Sequence, residues 1–503
     1  MTSTTDLAHL DAEALRALAA RLMAEMQVKQ TLIDKLTHEM AVLKRIKFAA
    51  SSEAYTGEQQ RLLFETLDTD IEALTAEIEQ LAPAKPADDQ NEKRQPRRAA
   101  LPASLPRKDV HHEPHATTCH CGCQLQRIGE DVAEKLDYQP GVFTVERHVR
   151  GKWVCRQCET LVQAPVPPQI IDKGIPTAAL LAQVLVAKYL DHLPLYRQSG
   201  IYGRSGFAIP DTTLAQWVGV CGVRLQPLVD ALIEHLLAES VLHADETPVA
   251  MLKPGLGKTH RAYLWSYCST SINTMKAVVF DFAESRAGRH AGEFLGNWRG
   301  TLVCDDFAGY KALFREGIVE AGCMAHARRK FHELYANHKS QIAEEALKLF
   351  GVLYDVERQV QGLDIKARQM LRHKLGKPAA DTLHAWLLAQ RQRVPEGSAT
   401  ARAIHYSLER WGALTRYLED GAVPIDNNWV ENQIRPIALG RKNWLFAGSL
   451  RAGQRAAAVM SLLHSARLNG HDAHAYMKDV LERLPTLPAS RIDELLPHRW
   501  TPA

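Results

Sequence analysis

Two short apolar runs, each ending in carboxylates, constrain this chain more than any other feature. Ser240-Val-Leu-His-Ala-Asp245-Glu-Thr-Pro-Val249 reads as a strand that delivers Asp245, with Pro248 ending the run. Gly300-Thr-Leu-Val-Cys-Asp305-Asp306-Phe307 repeats the arrangement. A carboxylate at the end of a buried strand is costly unless something compensates it, and a metal ion is the usual compensation. A third acid lies at the start of a helix-like stretch, Asp426-Asn-Asn-Trp-Val-Glu431-Asn-Gln-Ile-Arg435-Pro436. Asp245, Asp305 and Glu431 are expected to converge on one divalent-metal site.

The surrounding periodicity supports that expectation. Strand-like runs at 261–267 and 276–282 follow the first acid, then a helix near 291–298. The run 300–305, a helix at 310–316, a strand at 318–324 and a basic helix near His326 complete the order. Three strands, a helix, then strand–helix–strand–helix is the order of a ribonuclease-H-like fold, with acids on the first and fourth strands and on a later helix. Such a site suits phosphodiester attack, because two hard cations about 4 Å apart stabilise the attacking oxygen, the leaving oxygen and the phosphoryl group. Magnesium, or manganese, fits an all-carboxylate set; without metal, the acids would repel and raise one another's pKa values.

Two choices stay open here. Alternation points Asp305 and Asp306 to opposite faces, and Asp305 is preferred as the direct continuation of Leu302-Val303-Cys304. Glu246, beside Asp245, is a supporting candidate. A helical insertion, about 331–420, interrupts the core before Glu431. Arg435, one turn beyond Glu431, either pairs with it or reaches a phosphate. Arg328, Arg329, Lys330, Arg441 and Lys442 are further candidate DNA contacts. Gly255-Leu-Gly257-Lys258-Thr259 resembles a phosphate loop, but Leu252 stands where its first glycine belongs, so a hairpin turn is expected.

The N-terminal half has a different character. Leu15, Leu18, Leu22, Met26, Ile33, Leu36, Met40 and Leu43 recur at helical spacing. Phe64, Leu67, Ile71, Leu74, Ile78 and Leu81 form a cleaner coiled-coil seam, with acidic outer faces at Glu65, Asp68, Asp70, Glu72, Glu77 and Glu79. The region 1–82 is read as a helical arm that favours self-association over a hairpin packing only on itself. A linker at 83–117 carries Lys93, Arg94, Arg97, Arg98, Arg107 and Lys108. It is a solvated tether or a phosphate-following arm.

Five of nine cysteines crowd between Cys119 and Cys158. Cys119-His-Cys121-Gly-Cys123 and Cys155-Arg-Gln-Cys158 flank a stretch of short strands, which describes a structural zinc ribbon over 118–165. Cys155 and Cys158 form one ligand pair. The other joins Cys119 to either Cys121 or Cys123, with His120 a weaker option. A helical module follows at 176–238, with Asp211 as an N-cap. If this is a helix-turn-helix, Thr212, Thr213 and Gln216 face DNA; a helical corner that never touches DNA fits equally well.

No apolar run approaches the ~20 residues of a membrane span. The N-terminus lacks a basic region followed by an apolar core, so the expected location is the cytoplasm, with nucleoid association. The fold class is therefore multidomain and mostly α with an α/β core. It comprises coiled-coil helices, a small zinc ribbon, a helical module and a ribonuclease-H-like mixed sheet at 239–465 with its helical insertion. A small C-terminal helical segment occupies 466–503.

Several long motifs resemble the DDE-type transposases of the insertion sequence sixty-six group. They are Leu242-His-Ala-Asp-Glu-Thr-Pro-Val249, Cys304-Asp-Asp-Phe-Ala-Gly-Tyr310, Gly322-Cys-Met-Ala-His-Ala-Arg-Arg-Lys-Phe331, the Asp426–Pro436 stretch quoted above and Ala438-Leu-Gly-Arg-Lys-Asn-Trp-Leu-Phe-Ala-Gly-Ser449. The resemblance implies that Asp245, Asp305 and Glu431 are the metal-binding triad. It also implies that Cys323 and His326, a Cys-x-x-His pair, support the site, through a DNA contact or, as the weaker option, as metal ligands. Hydrolysis at the 3′ ends of a mobile element and joining of the 3′-OH to target DNA are the implied reactions. Implied partners are the element's terminal repeats, target DNA, further copies of the chain and small accessory proteins of the element. The chain departs from the family pattern at its Cys-x-Cys-Gly-Cys knuckle and at Asp306. The competing reading is a non-catalytic DNA-binding protein or repressor that keeps the fold.

Overall fold

The computed structural model describes residues 11–502 apart from 51–56, 83–100, 115–116, 119–120, 140, 172–173 and 254–258. Cys119, His120, the basic cluster at 93–98 and most of the 255–259 turn therefore lie outside the described residues. The chain divides into two compact units, Met1–Val184 with Leu195–Arg224, and Leu185–Pro194 with Leu225–Ala503. Among the described residues no helix is long and apolar enough to cross a membrane.

In the first unit, α1 (Ala12–Ala50) packs beside α2 (Gly57–Leu81), and Lys47 pairs with Asp68. The seam of α2 is buried at Leu67 and Leu74. Its acidic faces, however, are not all outward. Glu65 is 6% exposed and Asp70 0%, because α2 is covered on a second side. After α3 (Ala178–Tyr189), the first backbone N–H of α4 (Leu195–Arg204) donates to Glu65 Oε2 at 3.0 Å. A carboxylate at a helix N-terminus is stabilised by the dipole and by the unpaired N–H groups there. Further on, α5 (Asp211–Leu237) passes so close to α2 that a Cβ on Gly219 would sit 2.5 Å from the Thr69 carbonyl oxygen. In contrast, α1 leaves Leu22, Met23, Met26 and Val28 exposed.

The first sheet is built on a long hairpin. β2 (Gln126–Gln139) and β3 (Val142–Val154) pair antiparallel along their length; β1 (Arg107–His112) lies parallel to β3, and β4 (Leu161–Gln163) antiparallel to it. The expected short strands are thus 14 and 13 residues long. Alternating burial of Phe143, Val145 and Val149 gives β3 a continuous inner face.

The second unit is organised on a five-stranded mixed sheet of order β7-β6-β5-β8-β9. β5 (Val241–Leu252), β6 (Thr259–Ser269) and β7 (Val278–Ala283) are antiparallel, as the hairpin reading of 255–259 expects. β8 (Thr301–Cys304) and β9 (Val319–Gly322) extend the other edge in parallel. Pro248 does not end the first run: β5 continues to Leu252, with Pro248 opposite Tyr263. β8 pairs only with Val241, Leu242 and His243, and the edge is next bridged at Met251 by Ala447, so at Pro248 no strand pairs there and a missing N–H is tolerated. Short helices α6 (Gly288–Leu295) and α7 (Lys311–Arg315) connect the strands.

The residues after β9 are helical, as expected: α8 (Met324–His338), α9 (Gln341–Gln359), α10 (Ile365–Leu371), α11 (Lys377–Arg391), α12 (Ala399–Glu409) and α13 (Trp411–Leu414). They share one core with the sheet, where Val241 and Val303 pack with Phe331, Phe350, Leu383 and Ile404. Then come α14 (Asn428–Trp444), α15 (Leu450–Leu468) and α16 (Ala473–Arg483). The edge of β7 is sealed by α15: Val278 N–H donates to Ser465 Oγ at 3.0 Å and Phe280 N–H to Ser461 Oγ at 2.8 Å. Sealing an open edge in this way blocks pairing with another strand.

Arg372, fully buried in a π-helical turn at Arg372–Gly376, knots the helices together. Its Nε and Nη2 donate to Glu357 at 2.8 and 2.7 Å, and its Nη1 to the carbonyls of Tyr417, Asp420 and Val423. Removing one partner of such a buried pair strands the other charge. Arg372→Ala is expected to cost about 3–5 kcal/mol in urea unfolding, and a cost below ~1 kcal/mol would contradict the burial argument.

Candidate active site and metal centres

The parallel register of β5 and β8 sets up the site. Val241 pairs with Thr301, Leu242 with Leu302 and His243 with Val303. Asp245 lies two residues beyond His243, on the same face of β5, and Asp305 lies two residues beyond Val303. The strand ends at Cys304, so Asp305 and Asp306 occupy the following turn, where Phe307 N–H donates to Asp305 Oδ1 at 2.9 Å. Asp306 is engaged elsewhere, 3.2 Å from both Lys311 and Arg410.

Glu431 comes from the first turn of α14, where the helix dipole favours a negative charge. It lines a cavity of about 610 Å³ with Asp245, Thr247, His326, Arg329 and Arg435. Asp305 lines an adjoining cavity of about 630 Å³ that shares His326 and Arg329. Burial, then the like charges of Glu246, Asp305 and Glu431, push the Asp245 carboxyl up to about 8. Asp245 and Asp305 form no ion pair among the described residues. Glu431 has Arg329 Nη2 at 3.5 Å, while its Oε1 is buried without a hydrogen-bond partner. Oxygen donors crowded at this cost fit a hard divalent cation.

Asn427, immediately before α14, was not singled out by sequence reasoning. Its side chain is 1% exposed. Nδ2 donates to the Ala244 carbonyl at 2.9 Å, and Oδ1 lies 2.8 Å from His243 Nδ1, which donates. Its backbone N–H donates to Cys323 Sγ at 3.2 Å. Burial pushes His243 down to about 4, so this histidine is neutral. One asparagine thus joins β5, the start of α8 and the start of α14.

A second missed feature is the setting of Glu246. Its side chain is 1% exposed and accepts from Arg286 Nε at 2.7 Å and from the Tyr310 hydroxyl at 3.0 Å. Arg286 lies over the Phe307 ring, 4.0 Å from its centroid. Paired acids of this kind have no signal in a single sequence beyond adjacency to Asp245.

Of the basic candidates, Arg328, Arg329, Lys330, Arg435 and Lys442 are exposed. Arg435 forms no ion pair among the described residues, whereas Arg441 Nη1 donates to the Pro248 carbonyl and Thr247 Oγ1, bracing β5. In the first unit, Asp211 is the first residue of α5 and not its cap, because Leu214 N–H donates to the Pro210 carbonyl; Thr212 is exposed, Thr213 half-buried, and Gln216 Nε2 donates to Glu72 of α2 at 3.1 Å.

The cysteines flank the long hairpin, which brings them together. Cys121 Sγ lies 3.7 Å from the sulfurs of both Cys155 and Cys158. Cys121, Cys123 and Cys155 present sulfurs within 4.8 Å of one another. Four thiolates at 2.3 Å from a tetrahedral zinc stand about 3.8 Å apart, so this spacing fits the ion. The described knuckle therefore offers Cys121 and Cys123.

Known proteins agree with this organisation. The family model described as Transposase IS66 family matches residues 173–455. The IS66 C-terminal element matches 461–498, the zinc-finger binding domain of transposase IS66 matches 116–159, and Transposase C of IS166 homeodomain matches 35–110. Uncharacterized protein y4qI of Sinorhizobium fredii is 35% identical over 507 residues, covering 97% of this chain and 93% of the relative. Uncharacterized protein y4jD of the same organism is 34% identical over 500 residues, covering 94% and 96%. The zinc-finger match and the cysteine geometry together support structural zinc.

Two outcomes follow from the geometry. Asn427→Ala leaves His243 Nδ1 and the Ala244 carbonyl unpaired, so thermal or urea unfolding should show a loss of about 2–4 kcal/mol. The raised Asp245 carboxyl favours the folded state only while protonated. That contribution is full below about pH 4 and is lost as pH rises through about 8. With the ribbon zinc in place but no other divalent ion, the melting temperature should fall between about pH 4 and about pH 8, and millimolar magnesium should remove most of the fall.

Proposed function

Because this chain belongs to the IS66 transposase family, we propose that it cuts phosphodiester bonds at the ends of a mobile DNA element and joins the freed 3′-OH ends to target DNA. The observation that carries this reading is that Asp245 and Glu431 line one cavity and Asp305 lines the adjoining one, the two sharing His326 and Arg329. The sheet order, with three antiparallel strands followed by two parallel ones, supports a ribonuclease-H-like core.

In this reading Asp245, Asp305 and Glu431 hold magnesium or manganese. When bound, the ions stabilise the attacking and leaving oxygens of an in-line displacement. Asn427 keeps Asp245 and Glu431 in register. Arg435, with its free guanidinium on the same cavity, and the exposed Arg328, Arg329 and Lys330 hold the DNA backbone. Lys442 extends this contact, and Thr212 and Thr213 are left to meet DNA from α5. The exposed Leu22, Met23, Met26 and Val28 of α1 support pairing with a second copy, which would bring two element ends together.

The test is cleavage of a labelled element-end duplex in magnesium by the wild type and by Glu431→Gln, with gel shifts for both. The wild type should leave a 3′-OH product. Glu431→Gln should bind equally but cut roughly 100-fold or more slowly. If both bind and neither cuts, even with the element's accessory proteins added, the chain is a DNA-binding protein and this proposal fails.

A further inference from the structure

One cluster beside the acids offers a different donor chemistry. Cys323, His326 and Glu431 each present a ligand atom within 4.8 Å of the others. His326 Nδ1 and Glu431 Oε1 are 3.7 Å apart, and both are buried without a hydrogen-bond partner. Two facing polar atoms, neither bonded to protein, are costly to leave in a buried site. A cation between them would satisfy both.

The local backbone suits a metal-bound thiolate. Cys323 is the residue before α8, so its sulfur sits at a helix N-terminus; burial pushes the thiol up to about 12, so the thiolate forms only when a metal displaces its proton. Its side chain makes no cap to the helix. The Asn427 N–H donates to the sulfur instead, as backbone N–H groups do around metal-bound sulfurs. His326 follows one turn later on the same helix, and Glu431 arrives from α14. Protein ligands of three kinds with one side open to a cavity form the pattern of a reactive zinc site, not a closed structural one.

We propose that Cys323 Sγ, His326 Nδ1 and Glu431 bind one transition-metal ion, zinc or manganese, with its remaining position facing the cavity lined by Asp245. The proposal rests on Glu431 being a metal ligand, as in the function proposed above, and adds a thiolate and an imidazole to its ion. Thiolate and imidazole select zinc over magnesium, whereas the harder manganese is held mainly through the carboxylate and the imidazole. Binding through sulfur releases the Cys323 proton to solvent.

The experiment uses the full chain with its ribbon loaded with zinc. Metal analysis after dialysis against zinc should give about two zinc ions per chain. Cys323→Ser and His326→Gln should each lose about one zinc ion while keeping the circular-dichroism spectrum; Cys158→Ser should lose the other. With manganese in place of the second zinc, pulsed electron paramagnetic resonance should show a nitrogen coupling that His326→Gln removes. Manganese bound through Glu431 without nitrogen coupling, in a chain holding one zinc, overturns this proposal and leaves the proposed function standing. No manganese binding that Glu431→Gln alters, together with one zinc, overturns both.

Discussion

The contacts of Asn427 are the constraint on which the second unit's site depends. A buried amide has four hydrogen-bonding positions, and leaving them empty in a low-dielectric interior is expensive. Here the amide faces His243 and Ala244 on the strand that carries Asp245, while the backbone of the same residue binds Cys323. Glu431 follows within one helical turn. Acids from elements distant in sequence are thereby indexed to one another by a neutral group, which adds no charge to an already crowded site.

The crowding itself sorts the acids by role. Glu246 and Asp306 are adjacent in sequence to Asp245 and Asp305, yet each has its own cations: Arg286 for Glu246, and Lys311 with Arg410 for Asp306. Such pairs neutralise charge and hold the turns around the site. Burial raises the Glu246 carboxyl as well, but Arg286 and the Tyr310 hydroxyl partly offset it, whereas Asp245 has no such partner among the described residues and is pushed up to about 8 by burial and like charges. A carboxyl kept in that condition, beside neighbours that are paired, has the physical signature of a functional site.

The acid-tipped runs were legible because a strand needs only local alternation to announce itself, and the cysteine density announced the ribbon in the same way. Register was not legible. Only the pairing of His243 with Val303 puts Asp245 level with Asp305, and that pairing joins residues sixty apart. Burial on a second side was equally hidden. The heptad of α2 reads as one apolar seam with acids outside, but Glu65 is turned inward by the start of α4, which no pattern within α2 can reveal. Pro248 misled for a related reason: proline breaks a strand only where its missing N–H is needed, and edge status is a property of the sheet.

The helical stretch after β9 is not a lobe hung on the sheet. Phe331 and Phe350 share a core with Val241 and Val303, the strands that carry the acids. Close-packed interiors transmit displacement instead of absorbing it. Arg328, Arg329 and Lys330, on the outer face of the helix that contributes Phe331, are therefore held rigidly relative to Glu431. The Arg372 knot extends that rigidity through the helices to the carbonyls at 417–423, just ahead of Asn427. A DNA backbone gripped by those cations would be placed against the acids by the same packing that folds the unit, with no separate hinge needed to bring grip and acids together.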